Sequence, residues 1–319
     1  MTSQDAHLIQ LTLDAPIGAV SATVNALGAR QVSLSMNGRQ ALQPYDVTKL
    51  PPYATGFTMA PWANRMRDGK WRDGEKTFTN PITEARTNTA LHGLLLDTVY
   101  EVAHQTASSV AFRTVLLPSD GYPFEVQIEV EYQLVADGLT VAHRAINRSN
   151  HPAPYGTGAH PYLYFEGIKT ADLELHLPAA CWTRVDDRLL PVATESVRTF
   201  PTSGTEIAAG GWVRLGDFCI DNDFLDLTRG ADGLARTVLR APSTSADHRI
   251  TEVWQDSAFS HVHVFSCDFY PSESEEFQHG ITIEPVTAGP DAFNTGLDLI
   301  QLSPGEEWSG SWGIRLLNW

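Results

Sequence analysis

Cysteine, basic charge and helical periodicity are all scarce in this chain, and each scarcity removes a class of protein. Three cysteines, Cys181, Cys219 and Cys267, are odd in number, widely spaced and in no metal-like pair. They exclude a disulfide framework and read as buried free thiols in a reducing cytoplasm. Lys and Arg total 22 against 38 Asp and Glu, a formal charge of −16. That balance argues against nucleic acid or an anionic membrane as partner. It also repels a phosphorylated substrate unless arginines reverse the field locally. No apolar run is long enough to span a bilayer. The opening "MTSQDAHLIQLTLDAP" lacks a basic segment followed by an apolar one, so no export signal is expected and a cytoplasmic location is.

What the chain has is alternation. In "FEVQIEVEYQLV", Phe124, Val126, Ile128, Val130, Tyr132 and Leu134 alternate with polar residues, which predicts a strand with one wet face. Shorter alternation recurs in "LTVAHRAIN", "LELHLPA", "HVHVFS" and "SGSWGIRLL", separated by turn signals such as "PSDGYP" and "NRSNHPAP". With 42% hydrophobic residues there is material for a real core. No repeat or linker divides the chain, so one all-β domain over residues 1–319, a sandwich or closed barrel with little helix, is expected. The acidic "YPSESEEFQHG" reads as a solvated loop.

Five places break the strand pattern with polar residues that packing does not require. In "APWANRMRDGKW", Asn64 and Arg65 follow an aromatic, and Arg65 presents a rigid fork of donors. In "TNTALHGLLLD", His92 has apolar neighbours, the usual setting of a satisfied core histidine. His160 in "YGTGAHPYLYF" follows glycines that let a ligand approach the backbone. Asp221 and Asp223 in "IDNDFLDL" read locally as an Asx-rich turn. Glu284 ends an apolar run in "ITIEPVTAGPDAFN", where Pro285 is expected to end ladder pairing.

Taken in order, these segments resemble the aldose 1-epimerase, or galactose mutarotase, family. The likeness lies in Trp62–Arg65, Asn88–Gly93, His160–Tyr162, Asp221–Phe224, Glu284 with Pro290–Asn294, and the closing "SPGEEWSGSWGIRLL". Ala-His-Pro-Tyr-Leu stands here where the family more often has Asn-His-Ser-Tyr-Phe, and His-Gly-Leu replaces His-Gly-Gly. The resemblance implies a large antiparallel β-sandwich of the galactose-mutarotase (supersandwich) type, binding a neutral aldohexose with no cofactor and no metal. It implies His160 as general acid and Glu284 as general base, with Arg65, Asn64, His92 and Asp221 on sugar hydroxyls. Asp221 is preferred to Asp223 on its spacing to Phe224.

The chemistry asks for such a set. Opening a hemiacetal ring needs a base at the anomeric hydroxyl and an acid at the ring oxygen. A histidine holds both proton states near neutrality, and a carboxylate ordinarily stays ionised. Tyr162, Phe165, Trp62, Trp254 and Phe293 are candidates to stack on the sugar. Three alternatives remain: a hexose-6-phosphate mutarotase using Arg65, Arg67 and Lys70, a non-catalytic sugar binder, and a cupin-like metal site at His261, His263 and Asp268. A monomer or homodimer is expected.

Overall fold

The computed structural model describes residues 7–201, 203–216, 220–270 and 279–319. Cys219 and most of the acidic Tyr270–Gly280 stretch lie outside them. The described chain is an assembly of antiparallel sheets with two short helices, Gly204–Ala208 and Ala292–Thr295. The expected strand over "FEVQIEVEYQLV" runs from Val126 to Val135, with Val126, Ile128, Val130, Tyr132 and Leu134 all buried. It pairs with Gly138–Asn147, and that strand with Glu307–Leu317, near the middle of a nine-stranded sheet. "LELHLPA" is not one strand: Pro178 falls between Glu174–His176 in this sheet and Ala179–Val185 in the next.

An eight-stranded sheet carries the polar segments. Its order is Pro191–Ser196, Ala179–Val185, Asp221–Leu227, His261–Cys267, Gly280–Val286, Gly158–Ala159 and Thr58–Met59, with Tyr162–Leu163 also paired to Gly280–Val286. Side chains alternate across a sheet. Val262, Val264, Ile281 and Ile283 therefore enter a core shared with Val126, Ile128 and Ile314 of the larger sheet. His261, His263, Phe265, Thr282 and Glu284 take the opposite face.

Two local expectations are corrected. The Asp221–Asp223 segment is a strand, not an Asx turn, because it is held between Ala179–Val185 and His261–Cys267. Pro285 does not end its strand: it pairs with Val262, and Val286 pairs beyond it with His261 and Gly158. Its missing N–H is tolerated because the neighbour on its other side is interrupted, between Gly158–Ala159 and Tyr162–Leu163. Cys267 is buried as expected and Cys181 only half-buried. Among the described residues, no helix is long and apolar enough to cross a membrane.

Candidate active site

That interruption makes the site. Gly158 pairs with Val286 and Tyr162 with Thr282, so His160, in the break between them, falls opposite Glu284. On the other side Glu284 pairs with His263. Three polar side chains thus form a row across neighbouring strands, where cross-strand partners stand close enough to interact. His160 Nε2 lies 3.3 Å from Glu284 Oε1, and the same oxygen accepts a hydrogen bond from Thr282 at 2.7 Å.

The row lies along a cleft of about 410 Å³, whose lining includes Asn64, Arg65, His92, His160, Asp221 and Glu284. All six residues singled out from the sequence are therefore brought together. Asp223 is not among them: it is buried one strand repeat further along the same face, accepting hydrogen bonds from Thr183 at 2.7 Å and His261 at 2.9 Å.

Asn64 and His92 are placed by one local device. Both take left-handed backbone conformations, with φ of 57° and 62°, a region in which Asn and His are enriched. The His92 N–H donates to the Asn64 carbonyl, and the Asn64 N–H donates to His92 Nδ1 at 3.2 Å. With Nδ1 accepting, the ring proton sits on Nε2. Burial, then the nearby His160, holds the His92 pKa well below its ordinary value, so the ring is a neutral donor. Gly93 follows with φ 83°, and a Cβ there would come within 2.0 Å of the Ala60 carbonyl oxygen. Only glycine fits that turn.

Arg65 is clamped from two sides. Its Nε and Nη2 donate to Glu84 at 2.7 and 3.2 Å, and Nη1 and Nη2 donate to Asp221 at 3.3 and 3.2 Å. Burial disfavours its charge, but Glu84 and Asp221 outweigh burial and raise its pKa. The carboxylates respond in kind. Burial alone would raise Asp221, yet the His263 hydrogen bond and the Arg65 charge hold it well below the usual carboxylate range. In Glu84, burial is likewise overcome by Arg65 and Thr87. His160 moves the other way: burial lowers its pKa, with the Glu284 charge opposing.

Sequence reasoning missed Glu84 and the place of His263 in the cleft. Glu84 sits in a polar loop beside Arg86 and carries no local signal of burial. His263 was read only as a candidate metal ligand, with His261 and Asp268. The metal alternative for it does not match the geometry. His261 has Nδ1 on Asp223 and Nε2 on Asp298, both at 2.9 Å, while His263 turns to Asp221 at 2.9 Å. Asp268 is exposed. Of the aromatic candidates, Tyr162 lines the cleft, whereas Trp62, Phe165 and Phe293 are core residues and Trp254 stands in the other sheet. Tyr53, Phe265 and Phe269 complete the aromatic wall instead, Tyr53 and Phe269 meeting edge to face at 5.3 Å.

A model of the family described as aldose 1-epimerase matches residues 10–315. The uncharacterized protein YihR of Escherichia coli K12 is 29% identical over 303 residues, covering 94% of this chain and 91% of that one. Among solved structures, a GalM/aldose epimerase homologue from C. elegans superposes with TM-score 0.80 at 20% identity, over 97% of this chain and 98% of that one. Galactose 1-epimerase from Lactobacillus acidophilus gives 0.76 at 17% identity, over 99% and 96%. At these identities the structural likeness speaks for the fold.

Proposed function

We propose that this chain, which belongs to the aldose 1-epimerase family, is a cytoplasmic mutarotase interconverting the α and β anomers of a neutral aldohexose. The observation that carries the reading is the His160–Glu284 pair, 3.3 Å apart on the cleft floor. An acid and a base that close can serve the two oxygens on one anomeric carbon.

Glu284 takes the proton of the anomeric hydroxyl as the C1–ring-oxygen bond breaks, and the imidazolium of His160 gives its Nε2 proton to the ring oxygen. The open-chain aldehyde turns about C1–C2. The former ring hydroxyl then attacks the other face of C1 and returns its proton to His160, while Glu284 protonates the new anomeric oxygen. Both groups end as they began, with no electrons gained or lost, so the scheme calls for neither cofactor nor metal. Burial serves the acid step, because a weakly held proton is easily given. The Nε2–H of His92 and the Arg65 Nη1 hydrogen left over by Glu84 and Asp221 are donors for sugar hydroxyls. Asp221 and Asn64 supply acceptor and donor, and Tyr162, Phe265 or Phe269 offers a flat apolar face to the ring.

Charge favours a neutral sugar over a sugar phosphate. The cleft is lined by three carboxylates, Glu84, Asp221 and Glu284, against two guanidiniums, Arg65 and Arg86. Arg65 is shared between two of those carboxylates, and Arg86 lies 3.5 Å from Glu84. Arg67 is paired with Asp291, and neither it nor Lys70 lines the cleft. The test is an optical-rotation panel of freshly dissolved neutral aldoses and their 6-phosphates. Faster equilibration of the neutral sugars is expected. Preference for the phosphates would replace the reading with a phosphosugar mutarotase, and binding without acceleration would make the protein a sugar binder.

A further inference from the structure

The Asp221–Leu227 and His261–Cys267 strands carry two aspartate–histidine pairs, one strand repeat apart. In register, Asp223 faces His263, yet each histidine bonds diagonally: His261 to Asp223 and His263 to Asp221, each at 2.9 Å. The His261 pair is closed, because Asp298 takes the second ring nitrogen. The His263 pair opens on the cleft. Its Nε2–H donates to Asp221 Oδ1, and the Asn64 amide nitrogen stands 3.3 Å from its Nδ1 and 3.4 Å from its Nε2, against the ring rather than on a single nitrogen. The Asn64 carbonyl oxygen of the side chain is already used, accepting from the Arg65 N–H at 2.8 Å. The amide therefore turns its nitrogen, not its oxygen, to the ring.

Three segments far apart in sequence thus converge on one buried imidazole: the Asn64 loop, the Asp221 strand and, as cross-strand partner, Glu284. Arg65 alone cannot fix Asp221, since it is divided between Asp221 and Glu84. The sheet side of the carboxylate is set by His263. We propose that His263 is a positioning residue of the sugar site, holding the Asp221 carboxylate and the Asn64 amide at the separation that receives adjacent sugar hydroxyls. The proposal rests on the mutarotase reading. It gives His263 a part in binding through its neighbours, not in moving the sugar's protons.

The test compares wild-type protein with His263→Leu and His263→Gln, measuring kcat and KM for the neutral aldose that the wild type equilibrates fastest. Leucine fills similar space without polar contacts. Glutamine keeps a donor for Asp221 and a flat amide against which Asn64 can pack. His263→Leu is expected to raise KM roughly tenfold or more, the scale of one hydrogen bond to a charged group, with a smaller change in kcat. His263→Gln is expected to recover most of that loss, which a purely space-filling role would not allow. If His263→Leu does not fold, His263→Asn, polar but shorter, takes its place as the variant that cannot reach both partners. An unchanged KM in the apolar or short variant overturns the proposal, as does a glutamine variant no better than it. Either result with an active wild type leaves the mutarotase reading standing. A wild type that neither equilibrates nor binds any aldose removes both.

Discussion

Glu284 is as buried as Ile283 beside it, and a carboxylate is kept in such a place only with partners. Here they are the Thr282 hydroxyl, His160 and the adjacent His263. Glu284→Gln keeps the size and removes the base, so mutarotation should fall about a hundred- to ten-thousand-fold with the fold intact by circular dichroism. The pH profile tests the acid. Because burial lowers the His160 pKa, its proton-bearing form disappears as pH rises through a value below about 6.5. The alkaline fall in kcat/KM should begin there. A profile flat to pH 8 would remove His160 from the acid role. Arg65→Lys keeps charge but loses the fork that spans Glu84 and Asp221. A severalfold rise in KM is expected in a direct kinetic comparison.

Among the elements, the Gly280–Val286 and His261–Cys267 strands do most to build the site, and their double allegiance explains what the sequence disclosed. Period-two alternation made the strands readable, and the Ile281, Ile283, Val262 and Val264 face is the core face it implied. Asn64, Arg65, His92, His160, Asp221 and Glu284 were readable because short motifs surround them. Glu84 and the place of His263 were not, since their meaning lies in contacts 19 and 42 residues away, with Arg65 and Asp221. Proline misled at Pro285 for the same reason: whether a missing N–H matters depends on the neighbouring strand. The Asp223–His261–Asp298 contact predicts a stability signature. Burial opposes the His261 charge, but the two carboxylates raise its pKa to about 10. Such a group stabilises the fold fully below its unfolded value near 6.5 and loses that contribution as pH rises to about 10. The urea midpoint should fall over that window, and His261→Gln should flatten the fall.

At the scale of the whole molecule, a net charge of −16 surrounds a cleft whose own carboxylates outnumber its guanidiniums. Both fields repel anions. Neutral aldoses should therefore be preferred over their 6-phosphates by at least tenfold in kcat/KM, a gap that narrows as salt screens the charge. The antiparallel sandwich supplies the rest: one face of the eight-stranded sheet is buried against the larger sheet, which leaves the other free to carry a row of polar side chains. The central claim is that the His160–Glu284 row opens and recloses a sugar ring. Polarimetry of freshly dissolved α-glucose and α-galactose tests it most directly, with wild-type and Glu284→Gln proteins at equal concentration. The account predicts rapid equilibration with the wild type and a near-spontaneous rate with the variant. Equal acceleration by both proteins would contradict it.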